Sequence, residues 1–189
     1  MNGSVRITTV NDGASIFIRA GAETDAGVLA AFAARTFEET FGSQNRPEDL
    51  QAHLKKAFGI TQQARELSNP NMATLLAYDD DRLIAFAQVL RQEPPAGIHI
   101  DQPIELHRFY VDRAAHGKGV AQRLMRAVHA AAHSFGGLNL WLGVWERNPR
   151  AISFYRKVGF SDCGSHDFFV GADRQTDRVL VAPVRAEHP

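Results

Sequence analysis

The chain has 189 residues, 44% of them hydrophobic and 22% charged, the range of one compact globular domain with length enough for a core and a pocket. Lys+Arg and Asp+Glu both total 21, a formal net charge of +0, which argues against a protein whose main task is coating nucleic acid. No apolar run approaches the roughly 18 residues of a transmembrane helix, and Met1 to Gly13 lacks the basic and hydrophobic regions of a signal peptide. The single Cys163 cannot form an intrachain disulfide, which fits a reducing compartment. The expectation is a cytoplasmic protein, a single domain over 1–189, with no membrane or nucleic-acid partner.

Two β-prone runs, Val5 to Val10 and Ile16 to Arg19, flank Asn11-Asp12-Gly13 and suggest a hairpin or a strand extension. From Glu23 to Phe41 apolar residues recur at Val28, Leu29, Phe32, Ala33, Phe37 and Phe41, the period of a helix with one buried stripe. A second helix opens at Asn45-Arg46-Pro47, where proline suits the first turn, and runs through Leu50, Leu54, Ala57 and Phe58. The pattern gives out beyond Ile60.

Ala73 to Tyr78 and Arg82 to Leu90, separated by three aspartates, read as antiparallel strands. Gln92 to Pro103 carries three prolines and a glycine; it should be irregular, either bordering a substrate entrance or lying as a plain surface loop. Ile104 to Val111 reads as a strand, and Val120, Leu124, Val128, Ala131, Ala132 and Phe135 mark one face of a following helix that Gly136-Gly137 ends. Leu138 to Val144 is apolar almost throughout, as a strand covered on both faces would be, so a parallel pairing is plausible. Asn148-Pro149 supplies a cap and a first-turn proline for a helix carrying Ala151, Phe154, Tyr155 and Val158, which Gly159 stops. Strand resumes at Phe160, and Phe168 to Val170 with Arg178 to Val184 close a terminal hairpin. The order is mixed α/β, antiparallel strands first and a β-α-β-α segment later.

His116-Gly117-Lys118-Gly119-Val120-Ala121 lies between a strand and a helix. Free first-turn amides and the positive end of the helix dipole favour an anion there, and glycines let several amides converge on phosphate oxygens. His116 or Lys118 can add positive charge at the rim. A Walker A loop needs Gly where Asp112 stands and Ser or Thr where Gly119 stands, and the dinucleotide fingerprint needs Gly or Ala where Gln122 stands. A glycine-rich turn without ligand is the bland alternative.

This loop resembles the Gln/Arg-x-x-Gly-x-Gly/Ala motif of the GNAT N-acetyltransferase superfamily, with His116 where Gln or Arg is usual. Asn148, Ala151, Phe154, Tyr155, Gly159 and Phe160 resemble the second signature of that family, Asn-x-x-Ala-x-x-Phe-Tyr-x-x-x-Gly-Phe, in the right order after the first. A narrower resemblance, over Glu105 to Val111, Trp141 to Glu146 and the tail His166 to Asp177, is to the PaiA-type branch that contains spermine/spermidine N-acetyltransferases. It covers roughly residues 104 to 181, leaving the N-terminal hundred, which would shape the acceptor pocket, matched only by order of elements.

The resemblance implies a largely antiparallel sheet with a central, splayed parallel strand pair and flanking helices. It implies acetyl-CoA as cosubstrate, no metal, and leaves room for a homodimer. Loop amides from His116 to Ala121 would hold the pyrophosphate. Amides of the Phe109-Tyr110-Val111 strand would pair with the pantetheine arm and polarise the acetyl carbonyl. Asn148, Ala151, Phe154 and Tyr155 would complete the cofactor site, with Asn148 also serving as a plain helix cap. Tyr155 would donate a proton to the departing sulfur, the alternative being a core tyrosine. Glu105 would take the amine proton directly or through water, with Glu146 as rival.

The expected acceptor is a polyamine or other small primary amine, approached past carboxylates at Glu38, Glu39, Glu93, Asp101, Glu105 and Glu146, although these can equally be solvated surface. Protein N-terminal or lysine amines come second and an aminoglycoside third. A binding module that senses acyl-CoA without turnover is the competing class. His129 and His133 share a helix face, but no third ligand is evident, and Cys163 lacks a nucleophile pattern.

Overall fold

A computed structural model describes residues 16–170 and 173–185; the 5–13 part of the first hairpin lies outside them. β1 (Ile16–Ala20) is followed by a short 3-10 turn and α1 (Ala26–Phe41). Leu29, Phe32, Ala33 and Phe37 form its buried stripe, as the periodicity predicts, and Phe41 is half-buried, whereas Val28, which the same periodicity assigns to the stripe, is 46% exposed. Next come α2 (Pro47–Phe58), with Pro47 in its first turn, and α3 (Ile60–Leu67). Gly59, extended at φ −62° and ψ 148°, breaks the chain between them. α3 escapes the apolar pattern because the side chains it buries are polar, Gln63 and Glu66.

β2 (Met72–Asp79), β3 (Arg82–Leu90) and β4 (Pro103–Val111) pair antiparallel in succession, and β1 adds to the outer edge of β2. α4 (Val120–Ser134) then crosses over to β5 (Asn139–Trp145), and α5 (Pro149–Lys157) leads to β6 (Ser161–Val170) and β7 (Asp173–Pro183). The last hairpin is longer than the sequence suggests, and β7 inserts between β5 and β6. The described strands form one sheet of seven, β1-β2-β3-β4-β5-β7-β6.

Helices cover both faces. On one face Leu124, Val128, Ala131 and Ala132 of α4 and Tyr155 of α5 pack with Leu75, Ala87, Leu106, Leu140 and Leu142. On the other, the α1 stripe and Leu50, Leu54 and Phe58 of α2 pack on Leu76, Leu83 and Phe86. None of the described helices is long and apolar enough to cross a membrane.

One pairing differs from the rest. β4 and β5 run parallel but are joined over only three residue pairs, Pro103 with Asn139, Ile104 with Leu140 and Glu105 with Trp141. Beyond them β4 stays with β3 up to Val111 and β5 stays with β7 up to Trp145, so the two strands part. A bulge at His107 marks the parting: Gln88 faces Arg108 while Val89 faces Leu106. Such an extra residue bends the strand that carries it.

A buried polar cluster fixes the bulged strand. Arg108 pairs with Glu66 of α3 and donates to Gln88 Oε1 at 2.7 Å and to the Ala57 carbonyl at 3.2 Å. Glu66 also accepts from Gln88 at 3.0 Å and from Gln62 at 2.9 Å. Burial alone would raise the Glu66 carboxyl, yet the Arg108 charge and these donors bring it below its ordinary value. Removing one partner of a buried pair strands the other. Glu66→Ala should therefore cost about 3–5 kcal/mol in urea unfolding, whereas replacing Glu66 and Arg108 together by methionine should recover most of the loss.

Candidate active site in the strand parting

The parting opens a cleft of about 510 Å³, lined by α1, the bulged end of β4, the end of β5, the start of α5 and two side chains of β7. Backbone N–H groups alternate along a strand. Asp112 N–H donates to Ile84 on β3 at 2.8 Å, so by alternation the amides of Phe109 and Val111 point the opposite way, toward the opening. The Val111 carbonyl on that side is met by His116 Nε2 at 3.0 Å. Leu106, Phe109, Tyr110 and Val111 all line the cleft.

At one end lies the glycine loop. Gly117 and Gly119 have φ of +76° and +77°, and a Cβ built on either would enter open space. Gly119 is the N-cap of α4, whose first backbone bond runs from Arg123 N–H to the Gly119 carbonyl; the amides of the first turn thus precede the helical ladder. Loop amides converging on a space with no Cβ to fill it suit the phosphates of a nucleotide-like ligand. His116 serves the loop by geometry rather than charge. Burial and then Arg150 hold its pKa below the ordinary value, so its neutral ring donates Nε2–H to Val111. Positive charge at this end comes from Arg113 and Arg150, which line the cleft, and from exposed Lys118. The sequence reading did not single out the two arginines.

The loop hangs on Asp112, which the sequence shows only as a departure from Walker A. The side chain caps the 3-10 turn by accepting from Ala114 N–H at 2.9 Å, and it accepts from Arg82 at 2.7 Å and Arg35 at 3.0 Å. Burial would raise its pKa, but the amide and the two guanidinium groups outweigh it and bring the carboxyl to about 2.

α5 supplies the wall beside β4. Asn148 Oδ1 accepts from Ala151 N–H at 3.1 Å and so caps the helix, and Asn148, Ala151, Phe154 and Tyr155 all line the cleft. The Tyr155 ring is wedged among Phe109, Phe154 and Phe160, with centroids 6.3, 5.5 and 5.6 Å away. Burial, and secondarily Tyr110, push its hydroxyl above the ordinary tyrosine range, so it keeps its proton. Tyr110, stacked on Phe86 at 5.4 Å, is pushed up by burial to about 12.

Glu105 stands at the last joined pair of β4 and β5, and its Oε1 lies 3.1 Å from His107 Nδ1. His107 lines the cleft, and Glu105 does not. Of the six carboxylates of the expected acidic approach, only Glu39 lines the cleft, and it is paired with Arg35 at 2.9 Å. Residues 92–102 are irregular, Pro103 already opening β4, and they do not line the cleft; they pack beside β5, with the Gln92 carbonyl accepting from Trp141 Nε1 at 2.9 Å.

Asp177 of β7 is the carboxylate that the sequence reading missed as a site residue. It lines the cleft with Trp145, Phe37 and Phe41 and is only 9% exposed. His129 is buried with Nδ1 accepting the Arg185 N–H at 3.2 Å, while His133 is exposed. Among the described residues no group of three or more His, Cys, Asp or Glu could hold a metal.

The model of the acetyltransferase (GNAT) family matches residues 29–160. The chain belongs to that family. An uncharacterized N-acetyltransferase of Mycobacterium tuberculosis strain H37Rv is 36% identical over 158 residues, 84% of this chain and 97% of its own length. The spermine/spermidine N(1)-acetyltransferase of Bacillus subtilis strain 168 is 31% identical over 64 residues, 33% of this chain and 42% of its own. Among solved structures, the PaiA N-acetyltransferase of Thermoplasma acidophilum in complex with coenzyme A superposes with a TM-score of 0.70 at 22% identity, covering 89% of this chain and 98% of that one. The protein is thus an N-acetyltransferase with the mixed α/β fold of its family.

The depressed pKa of Asp112 fixes the sign of one expected outcome. Its stabilisation is fully present above the unfolded value of 3.8 and is lost as pH falls through about 2. Asp112→Ala should cost about 1–2 kcal/mol near neutrality, and the gap from the wild type in acid unfolding should close between those two pH values.

Proposed function

We propose that this N-acetyltransferase moves the acetyl group of acetyl-CoA directly to the primary amine of a small molecule, with polyamines among the candidate acceptors. The observation that carries this reading is the cleft itself. The β4 strand, Arg113 and Arg150 and a wall of aromatic side chains line one opening, and the glycine loop lies in the chain between two more of its lining residues, His116 and Ala121. The coenzyme A complex of the Thermoplasma structure supports the cosubstrate, and the short Bacillus match supports an amine of the polyamine kind.

Acetyl-CoA, as cosubstrate, supplies the thioester. Backbone amides from Gly117 to Ala121 bind its phosphates, and Arg113 and Arg150 neutralise them. The Phe109 and Val111 amides hold the extended arm as an added strand would be held and orient the acetyl carbonyl, which one of them polarises. Asn148, Ala151 and Phe154 close the side of the channel. A new N–C bond forms as the C–S bond breaks, and the Tyr155 hydroxyl gives its proton to the departing sulfur. Glu105 takes the amine proton through His107 or a water, because its own carboxylate lies behind His107. Much of the acceleration then comes from positioning two substrates in one channel.

A free-thiol release assay with acetyl-CoA and a panel of amines tests the reading. The wild type should release CoA thiol only with an amine present. Tyr155→Phe should lower kcat by about a hundredfold or more and leave CoA affinity in calorimetry unchanged. An unchanged kcat removes Tyr155 from the proton transfer, and CoA binding without turnover on any amine contradicts the proposed acceptor class.

A further inference from the structure

The described part of the cleft holds one carboxylate that the chain leaves half unpaired. Asp177 Oδ1 is buried and has no hydrogen-bond partner among the described residues, although the residue lines the opening. On the sheet Asp177 stands opposite Trp145 of β5 on one side and His166 of β6 on the other. Its Oδ2 and His166 Nε2 lie over the backbone of Gly143, where an added Cβ would sit 3.1 and 3.0 Å from them. A glycine at that point lets the carboxylate lie down against β5.

Among the described residues the charged and titratable neighbours do not supply a partner. His166 is the β6 group that faces it, and Tyr110 and Arg108 are the β4 groups on the same side. Arg108 is spent on Glu66, Gln88 and the Ala57 carbonyl. From α1, Glu39 is also acidic and is already paired with Arg35. A buried carboxylate with a free oxygen is costly unless a cation meets it.

We propose that Asp177 receives the acceptor: its free oxygen pairs with the nitrogen of a primary monoamine that enters as the ammonium and gives its proton to Glu105 through His107 or a water before it attacks, while the apolar or aromatic body lies against Phe37, Phe41 and Trp145. This rests on the reading of the protein as a small-amine acetyltransferase and narrows it. The aromatic walls are present, with Phe41 edge-on to Trp145 at 6.0 Å and beside Phe37 at 4.8 Å. Aromatic faces suit both an apolar body and the cation next to it. A polyamine would bring further ammonium groups, and among the described residues the only other carboxylate lining the cleft is the one Arg35 neutralises. Asp177 is thus a substrate-binding residue, and its length and charge set the amine preference.

Burial also raises the Asp177 carboxyl to about 6, against the opposing charge of His166. For a raised acid the sign is the reverse of a salt-bridged one: the contribution to stability is full below the unfolded value of 3.8 and is lost as pH rises through about 6. Asparagine at this position removes that loss, so a substrate-binding role and a scaffolding role move the melting temperature in different directions.

The test compares wild type, Asp177→Asn and Asp177→Glu in thiol release with phenethylamine, butylamine and spermidine, alongside thermal melting at pH 5 and pH 8. Asp177→Asn should raise KM for phenethylamine by about tenfold or more, change kcat less, and melt at or above the wild type at pH 8; Asp177→Glu should recover part of the KM. Wild type should favour phenethylamine over spermidine in kcat/KM. An unchanged KM, a lowered melting temperature with KM intact, or a preference for spermidine overturns the proposal. A wild type that binds CoA and turns over no amine overturns the small-amine reading itself, and the assignment of Asp177 with it.

Discussion

The structure depends on two parallel strands that are joined at one end and kept apart at the other. β4 and β5 share three residue pairs and then follow different partners. β4 is held by β3, by the stacking of Tyr110 on Phe86 and by the Arg108–Glu66 pair that ties it to α3. β5 is held by β7 along its whole length. With both strands committed elsewhere, the amides facing the gap have no strand to pair with, and a buried amide without a partner is costly. The gap is therefore a place where an extended guest gains hydrogen bonds that the protein cannot make alone.

Charge is divided along that gap, although the chain as a whole is balanced at 21 cationic and 21 acidic residues. Arg113, Arg150 and the glycine loop make one part of it suited to anions, and Asp177 lines it together with the aromatic rings of Phe37, Phe41 and Trp145. An enzyme joining an anionic cosubstrate to a cationic acceptor needs such a division, and net neutrality conceals it. The two carboxylates that matter most lie in opposite surroundings. Asp112 sits among donors and stays ionised, anchoring the loop; Asp177 sits with an oxygen unpartnered, which weakens the fold at neutral pH and leaves an oxygen for a ligand.

What was legible in the sequence is what local chemistry encodes. Gly117 and Gly119 announce a loop whose backbone a ligand can approach, Asn148-Pro149 a capped helix, and the stripe of α4 a buried face; the loop glycines are left-handed with open space where a Cβ would be, and the cap and the buried face are found where the sequence puts them. The splayed parallel pair follows from the family resemblance and is also found. The misses are long-range. α3 buries Gln63 and Glu66, so a search for apolar periodicity passes over it. Asp177 becomes a cleft residue only because β7 inserts between β5 and β6, which nothing near residue 177 foretells. Glu105 was placed on the right strand, but whether a strand-end side chain reaches the cleft depends on where β4 bends, and it sits behind His107. Pro94 and Pro95 mark an irregular segment without saying that it packs away from the opening, and Pro103, expected in the same segment, opens β4 instead.

The central claim is that the free edge of β4 and the amides opening α4 together form the cosubstrate channel. Amide hydrogen exchange of the wild type with and without CoA tests it most directly. The account predicts that CoA slows exchange at Phe109 and Val111 and at the first-turn amides of α4, with little change at Tyr110, whose amide alternation assigns to β3. CoA binding that leaves Phe109, Val111 and the α4 amides exchanging as before would contradict it.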